Sequence, residues 1–212
     1  MLGTVSVLLI DDHTVARSGL ILMLSADPKL RVEGEADSAA AALRVLQERA
    51  FDVALLDVTL PDKSGLDLLR QLRERYPAMA VVMVSAYPED VYAMRALKAG
   101  AAGYLTKDCT PDVLVAAVHK AASGGRYVTP SLLQKLAGMV GDDHGAPHDT
   151  LTDRELTVFR MIAAGASLVS IAASLHVSPS TVTTYRARIL DKMGLKSNAE
   201  LTRYGLDHGL LG

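Results

Sequence analysis

The chain has 212 residues, half of them hydrophobic, so it can bury a substantial core in one large or two small domains and is not wholly disordered. A single cysteine, Cys109, excludes an internal disulfide framework and fits a reducing compartment. The N-terminal apolar run has no basic segment before it, and the uncharged stretch 161–185 contains Ser, Thr, His and Pro. Neither a signal peptide nor a membrane span is expected, and we predict a soluble cytoplasmic protein.

The net charge of −2 is unevenly distributed. Residues 1–121 carry 13 Lys and Arg against 16 Asp and Glu, whereas residues 151–212 carry 7 against 5. The positive balance at the C-terminal end is consistent with a nucleic-acid partner there, although an excess this small does not require one.

Five apolar runs alternate with helical patterns through the first half of the chain. The predicted strands cover residues 5–10, 30–36, 53–56, 80–84 and 103–105. Apolar residues at helical spacing follow each strand, and in the first helix they are Val15, Leu20, Leu22 and Leu24. Gly100 is placed to end the fourth helix. This alternation predicts an α/β domain with a parallel sheet, right-handed crossovers and helices on both faces.

The third strand leads into FDVALLDVTLPDKSG, residues 51–65, with Asp57 at its centre. The apolar run 53–56 is typical of a strand that is buried on both faces of a parallel sheet. A carboxylate at its end is costly unless it faces solvent or a cation, and ligands of open α/β sheets gather at the carboxyl ends of the strands. Pro61 and Gly65 then turn the chain away. Asp57 is therefore placed like a reactive group.

Polar residues also follow three other predicted strands. Asp11 and Asp12 follow the first, Ser85 ends the fourth and Lys107 follows the fifth. Three carboxylates in one crevice need a cation to remain ionised together, and an all-oxygen site that meets a phosphate suits Mg²⁺. Lys107 can neutralise a phosphoryl oxygen, Ser85 can donate a hydrogen bond, and Asp is a known phosphoryl acceptor.

This set of residues, DD…D…S…K with DVTLPDKSG around the central Asp, resembles the receiver domain of two-component response regulators over residues 4–122. The resemblance implies a flavodoxin-like fold, Asp57 as the acceptor of a phosphoryl group from a sensor histidine kinase, and Asp11 and Asp12 as Mg²⁺ ligands. It also implies that Thr59 contributes its backbone carbonyl. Ser85 and Tyr104 match the hydroxyl and aromatic switch positions of the family. The proline that often follows the lysine of this family is replaced by Asp108.

Taken singly, these residues have structural explanations. Asp11 and Asp12 could cap the helix that follows, Ser85 could be a turn residue, and Tyr104 could be a core aromatic. Their position at successive strand ends favours the phosphoacceptor interpretation.

A connection of residues 123–149 separates this domain from a second one. Gly124 and Gly125 close the first domain, residues 130–140 predict a linker helix, and GDDHGAPHDT (141–150) has the composition of a flexible segment. His144 and His148 have a spacing that could chelate a metal on a helix. Because Gly145 and Pro147 lie between them, a solvated linker is the preferred interpretation.

From Leu151 onward the pattern changes to short helices without strands. Residues 152–155 (TDRE) form a capping box, and a second helix covers 168–175. Ser178 and Pro179 start a third helix that ends near Gly194. Two short helices joined by a tight turn predict a helix-turn-helix, and Val182, Ile189 and Met193 share the inward stripe of its third helix.

The opposite face of that helix is the candidate DNA-reading surface. Thr183, Thr184, Ala187 and Arg188 lie on it, with Thr181 near the start of the helix. Arg186, Lys192 and Lys196 flank it and are expected to contact phosphates.

The segments LTDRELTVFRMIAAG, IAASLHVSPSTV and ILDKMGLKSNAEL resemble the C-terminal DNA-binding domain of LuxR-type regulators. Together the two domains resemble the NarL/FixJ class of response regulators, which implies a four-helix second domain and a homodimer on DNA when phosphorylated. The family often has Asn-Lys-Glu where this chain has residues 168–170 (LVS), and Lys-x-His where it has 183–185 (TTY). The Thr183 position thus lacks a potential guanine contact, although threonine methyls and Ala187 could touch thymine methyl groups.

Three alternatives stay open at this point. An enzyme of the haloacid dehalogenase type also uses a strand-end aspartate and Mg²⁺, but it would want a second Asp where Thr59 stands. A receiver that is never phosphorylated would act as an interaction module, and the second unit could be a protein-binding helical domain. We expect a non-enzymatic regulator with domains at 1–122 and 150–212.

Overall fold

The structure, a computed structural model, describes residues 3–130, 132–134 and 146–211. The chain divides into two compact units, Met1–Ala137 and Gly138–Gly212. Among the described residues, no helix has the length and apolar character that crossing a bilayer requires.

The first unit contains a parallel sheet of five strands in the order β2-β1-β3-β4-β5 within the described residues. The strands are β1 (Val5–Ile10), β2 (Leu30–Ala36), β3 (Val53–Leu56), β4 (Ala80–Ser85) and β5 (Gly103–Thr106). The strand order is that of flavodoxin-like folds, in which the sequence changes direction between β1 and β3. The predicted α/β fold is confirmed, with strand boundaries that differ by at most one residue.

Five helices alternate with these strands. They are α1 (Thr14–Leu24), α2 (Ala39–Glu48), α3 (Gly65–Arg75), α4 (Glu89–Lys98) and α5 (Pro111–Ala122). Gly100 ends the α4 region with φ +97°, as its position predicted. In α1, however, only Leu20 and Leu24 are buried, whereas Val15 and Leu22 of the predicted apolar pattern are 87% and 74% exposed. Apolar spacing identified this helix but overstated its buried face.

The core of the sheet consists of fully apolar strand interiors. All four residues of β3 are buried, and β1 contributes Leu8, Leu9 and Ile10, all fully inaccessible. Cys109 is half-buried and packs against this core, as expected for a small residue near a strand end. Because β3 is covered on both faces, Asp57, which directly follows it at the carboxyl edge of the sheet, is also almost fully buried.

The two outer strands of the sheet differ. On β2, Arg31, Glu33 and Glu35 alternate with more buried positions and are exposed. Beside β5, Tyr127 forms a parallel bridge with Gly103, and its N–H donates to the Ala102 carbonyl at 2.7 Å. One edge is therefore charged and the other is covered by a later segment of the chain.

Residues 131 and 135–145 of the predicted linker, including His144, lie outside the described residues. Of the predicted helix 130–140, the described positions 130 and 132–134 are helical, and Pro147–Thr150 form a 3₁₀ turn. His148 was expected in a solvated segment. Instead it is half-buried, with Nδ1 2.9 Å from the hydroxyl of Tyr204, so it packs on the second unit.

The described part of the second unit, residues 146–211, contains four α-helices. They are α6 (Asp153–Ala163), α7 (Leu168–Ser174), α8 (Pro179–Met193) and α9 (Asn198–Asp207). Thr152 and Glu155 form the predicted capping box of α6, and Ser178 caps α8 with Pro179 in its first turn. His176 adopts φ +51° in the turn between α7 and α8, and Gly194 ends α8 with φ +65°. The predicted helix-turn-helix arrangement is confirmed.

Candidate functional site

Three strand ends bring charged side chains together at the carboxyl edge of the sheet. Asp11 follows β1, Asp57 follows β3 and Lys107 follows β5. The ammonium of Lys107 lies 2.6 Å from Asp11 Oδ2 and 2.8 Å from Asp57 Oδ2. Since the two carboxylates are only 2% and 4% exposed, Lys107 compensates charges that would otherwise be costly to bury.

The environment shifts the titration of this pair. Burial raises the pKa of the Asp57 carboxyl above its ordinary value, and Lys107 opposes that rise only in part. Burial by itself lowers the pKa of Lys107, but the charges of Asp57 and Asp11 and their hydrogen bonds raise it overall. The lysine therefore stays protonated at neutral pH, facing a carboxylate that is held in an unfavourable environment.

Asp12 and His13 extend the acidic cluster toward solvent. His13 Nδ1 lies 2.8 Å from Asp12 Oδ1, and the His13 N–H donates to Asp11 Oδ1 at 2.8 Å. Ligand atoms of Asp11, Asp12, His13 and Asp57 all lie within 4.8 Å of one another. The three carboxylates suit Mg²⁺, whereas imidazole is the less typical ligand for it. Sequence reasoning did not include His13, whose position directly after the Asp pair was the available signal.

Thr59 lies beside the site, in the loop between β3 and α3. Its N–H points to Asp57 Oδ1 at 3.4 Å, Thr59 pairs with Ser64 in an antiparallel bridge, and Gly65 N–H donates to the Val58 carbonyl at 2.8 Å. A Cβ on Gly65 would lie 1.8 Å from the Asp57 carbonyl oxygen. Glycine is therefore required for α3 to start this close to the strand end.

Ser85 and Tyr104 lie on β4 and β5, beside the site. Ser85 is fully buried, and its Oγ accepts a hydrogen bond from Tyr87 N–H at 3.3 Å. The Tyr104 hydroxyl is buried too and donates to the Tyr87 carbonyl at 2.9 Å. Lys107 N–H donates to the Ser85 carbonyl at 2.8 Å, which fixes the end of β4 against the end of β5.

The site opens to solvent beside Lys107. A cavity of about 630 Å³ is lined by Ala86, Pro88, Glu89, Thr106, Lys107 and Asp108. Its size is within the range of small-molecule sites. A small molecule can therefore reach Lys107 from this side, although Asp11 and Asp57 themselves are almost fully covered.

In the second unit, helix α8 presents the predicted DNA-reading face. Val182, Ile189 and Met193 are buried, whereas Thr183, Thr184, Ala187 and Arg188 are exposed. The hydroxyls of Thr183 and Thr184 donate to the carbonyls one turn earlier at 3.0 and 3.1 Å, and Thr181 is half-buried beside the Ser178 cap. The exposed face of α8 thus offers mainly threonine methyls, one alanine and one guanidinium.

The flanking basic residues differ from one another. Lys192 Nζ lies 2.6 Å from Oε2 of the buried Glu155 in α6, and Arg186 Nε donates to Asn198 Oδ1 at 2.6 Å. Burial alone raises the pKa of Glu155, but the hydrogen bonds from Lys192 and Thr152 outweigh it and lower that pKa. Arg188 and Lys196 are exposed. Lys192, predicted as a phosphate contact, thus fixes α8 to α6.

Comparison with known families and proteins gives the same two-part division. The model of the response regulator receiver domain matches residues 7–119, and that of the luxR family of bacterial regulatory proteins matches residues 149–205. Both families follow the order that the motifs of the sequence predicted.

Individual relatives match along nearly the whole chain. The transcriptional regulatory protein UhpA of Escherichia coli is 41% identical over 96% of this chain and 98% of its own length. The response regulator GacA of Pseudomonas aeruginosa is 37% identical over 98% of each chain. RcsB of Salmonella enterica serovar Typhimurium, solved with promoter DNA and the phosphomimetic BeF₃⁻, has a TM-score of 0.66 at 22% identity, over 95% of this chain and 98% of RcsB. This last likeness concerns the fold alone.

Proposed function

Because the chain belongs to the NarL/FixJ class of two-component response regulators, we propose that it is a transcription factor controlled by phosphorylation of Asp57. The observation that carries the proposal is the buried Asp57 carboxylate at the end of β3, 2.8 Å from the Lys107 ammonium. A sensor histidine kinase is the proposed phosphoryl donor. The chain acts as a regulator and not as a haloacid dehalogenase-type enzyme, since Thr59 stands where such an enzyme would have its second Asp.

Asp57 is the proposed nucleophile. One of its oxygens bonds to phosphorus as the bond to the donor nitrogen breaks, and Lys107 neutralises a phosphoryl oxygen. The distances of Lys107 to both carboxylates support this role, because an ammonium that already contacts Asp57 is close to any phosphoryl group formed there. Placing the nucleophile in a buried site also keeps water from competing for the phosphoryl group.

Asp11, Asp12, Asp57 and the Thr59 main-chain carbonyl are the proposed Mg²⁺ ligands. The spacing of the carboxylates and their burial fit a hard divalent cation, which when bound neutralises the charge of the incoming phosphoryl group. His13 Nδ1 lies 2.8 Å from Asp12 Oδ1, so the imidazole is a polar neighbour of that carboxylate. Lys107 already offsets part of the negative charge before the cation binds.

Ser85 and Tyr104 are the proposed switch residues. A phosphoryl group on Asp57 attracts the Ser85 hydroxyl, which at present accepts a bond from Tyr87 N–H. The Tyr87 carbonyl also accepts a hydrogen bond from the Tyr104 hydroxyl. The ring of Tyr87 lies 5.2 Å from that of Tyr92 in α4. Moving Ser85 therefore alters the segment that precedes α4. Phosphorylation of Asp57 would shift the balance between two arrangements of Ser85, Tyr87 and Tyr104.

The exposed face of α8 is the proposed DNA contact. Thr181, Thr183, Thr184, Ala187 and Arg188 would meet base edges in the major groove, while Arg186 and Lys196 meet phosphates. The paired Lys192 contributes through the position of α8, and its own phosphate contact needs a partial release from Glu155. The proposed partner is double-stranded DNA, bound by two phosphorylated chains on inverted half-sites.

The proposed domain boundaries are 1–122 for the receiver, 123–149 for the linker and 150–212 for the DNA-binding domain. We propose a cytoplasmic location, together with the chromosomal DNA.

Light scattering of the full chain in Mg²⁺, with and without a small phosphodonor, tests the proposal. Wild type should shift from monomer to dimer with the donor, while Asp57→Asn should not. Asp108→Asn removes the same charge from an exposed position beside Lys107 and should behave as wild type. Binding to promoter-length DNA should rise in the same samples that dimerise.

Two outcomes would contradict the proposal. If no phosphoryl group appears on wild type, Asp57 is not an acceptor. If wild type and Asp57→Asn are equally dimeric and bind DNA equally with or without the donor, phosphorylation does not control assembly. A phosphorylation-independent regulator would then be the better description.

A further inference from the structure

Asp62 connects the loop beside the phosphoacceptor to a helix that is distant in sequence. Its Oδ1 accepts the Ala39 N–H at 2.9 Å, and its Oδ2 accepts the Ala40 N–H at 2.9 Å. These are the first two N–H groups of α2, which have no partner within their own helix. The third, that of Ala41, is bonded by Ser38 Oγ at 3.2 Å. Two elements therefore share the capping of α2, and only Asp62 belongs to the β3–α3 loop.

The rest of this loop is held at both ends. The bridge between Thr59 and Ser64 and the bond from Gly65 N–H to the Val58 carbonyl close its base. Lys63 Nζ donates to Gln71 Oε1 at 2.7 Å and fixes the loop to α3. Asp62 supplies the matching attachment to α2. Movement of Asp62 away from the start of α2 would break its bonds to both N–H groups.

We propose that Asp62 is a positioning residue for phosphoryl transfer. By bonding to both N–H groups at the start of α2, it fixes the orientation of the Thr59 peptide, whose carbonyl is a proposed Mg²⁺ ligand. This inference rests on the proposed function. Asp62 is not itself a proposed ligand, so its effect on cation affinity is transmitted by the loop backbone.

The test compares Asp62→Ala with Ser38→Ala in the full chain. Both variants remove capping bonds from α2, but only Asp62→Ala frees the loop. Calorimetric titration with Mg²⁺ should give a dissociation constant about tenfold higher for Asp62→Ala. This is the lower end of the loss that follows removal of a group bonded directly to a metal ligand, because Asp62 acts only through the loop. Ser38→Ala should lower thermal stability and leave the Mg²⁺ dissociation constant at the wild-type value.

Phosphorylation by a small phosphodonor supplies the second readout. The Asp62→Ala rate should be reduced at low Mg²⁺ and return toward wild type at saturating Mg²⁺, because the variant disturbs binding of the cation and leaves Asp57 and Lys107 intact. Asp62→Asn keeps one acceptor oxygen, so its Mg²⁺ dissociation constant and phosphorylation rate should lie between those of wild type and Asp62→Ala. This variant tests the inference if the alanine variant fails to fold.

An unchanged Mg²⁺ dissociation constant in both Asp62 variants would overturn the inference. So would an equal rise in Ser38→Ala, because the cause would then be the stability of α2 alone. If wild type itself neither binds Mg²⁺ nor accepts a phosphoryl group, the proposed function fails, and the inference fails with it. Normal wild-type chemistry with unaffected Asp62 variants overturns only the role of Asp62.

Discussion

The carboxyl edge of the sheet and the exposed face of α8 arrange their proposed functional side chains in opposite ways. At the sheet edge, Asp11 and Asp57 are almost fully buried and share one ammonium group. On α8, Thr183 and Thr184 are exposed and bond mainly to their own helix. The first site exists only when three distant strands are folded together, whereas the second needs little beyond one helix. Substitutions should therefore affect folding stability at the first and ligand binding alone at the second.

Gly65→Ala should give the largest effect. Its Cβ would lie 1.8 Å from the Asp57 carbonyl oxygen, so the start of α3 must move. We expect chemical denaturation to show a loss of about 4 kcal/mol in the free energy of unfolding of the first unit. Gly19→Ala, in α1 with no atom within 4 Å of the new methyl, should instead gain about 0.5–1 kcal/mol. If Gly65→Ala lowered the free energy of unfolding by no more than a few tenths of a kcal/mol, the loop would adapt easily to the new methyl group.

Lys107→Met should follow. It leaves Asp11 and Asp57 buried without their cation, which costs about 3 kcal/mol at neutral pH. Without the lysine, the folded-state pKa of Asp57 rises further above its unfolded value. The Asp57 charge therefore costs no stability below the unfolded-state pKa. As pH rises from that value through the folded-state pKa, the free energy of unfolding of the variant falls. Denaturation at pH 5 and pH 7 should show a larger deficit at pH 7, and a deficit independent of pH would contradict this account.

Lys192→Met is the exception that tests the comparison within the second unit. Lys192 flanks the exposed face, yet it neutralises the buried Glu155, so its loss should cost about 1–2 kcal/mol. The lowered pKa of Glu155 contributes stability that is present above its ordinary value of 4.5 and is lost as pH falls through the folded value. The deficit of the variant should therefore shrink on acidification. Unchanged stability at pH 7 would return Lys192 to the phosphate-contact role.

Asp57→Asn should stabilise the protein in the absence of Mg²⁺. The pKa of Asp57 is raised on folding, so its ionised form is disfavoured in the native state as pH rises above the unfolded value of 3.8. Removing that charge should increase the free energy of unfolding at pH 7, while Lys107 keeps its contact with Asp11. A less stable Asn variant in Mg²⁺-free buffer would show that the ion pair outweighs burial.

Lys196→Met should have the smallest effect on stability, within about 0.5 kcal/mol, because its side chain is exposed. The expected change is in DNA binding, where the slope of log affinity against log salt should fall by about one on any duplex. Fluorescence anisotropy at several salt concentrations measures it. An unchanged slope would remove Lys196 from the proposed interface.

The sequence predicted those features that follow from chain order and periodicity. Asp11, Asp57 and Lys107 meet because parallel strands bring their carboxyl ends to one edge, which alternation of strands and helices is sufficient to indicate. Ser178, Pro179 and the Thr152 capping box follow from local preferences of helix ends.

Other features depend on side-chain direction and through-space distance. The bonds from Asp62 to α2 and from Lys192 to Glu155 join residues 22 to 37 positions apart, and no local pattern indicates them. Likewise, the apolar spacing of α1 could not tell that Val15 and Leu22 face solvent, because periodicity does not show what covers a helix.

The different edges of the sheet have a consequence for the protein at high concentration. An unpaired strand edge is a template for addition of strands from other molecules, which leads to aggregation. At β2, two glutamates and one arginine place charge along the edge, and at β5 the Tyr127 bridge occupies the first pairing position. Both devices discourage edge-to-edge pairing between molecules, so the folded first unit is protected against aggregation through its sheet.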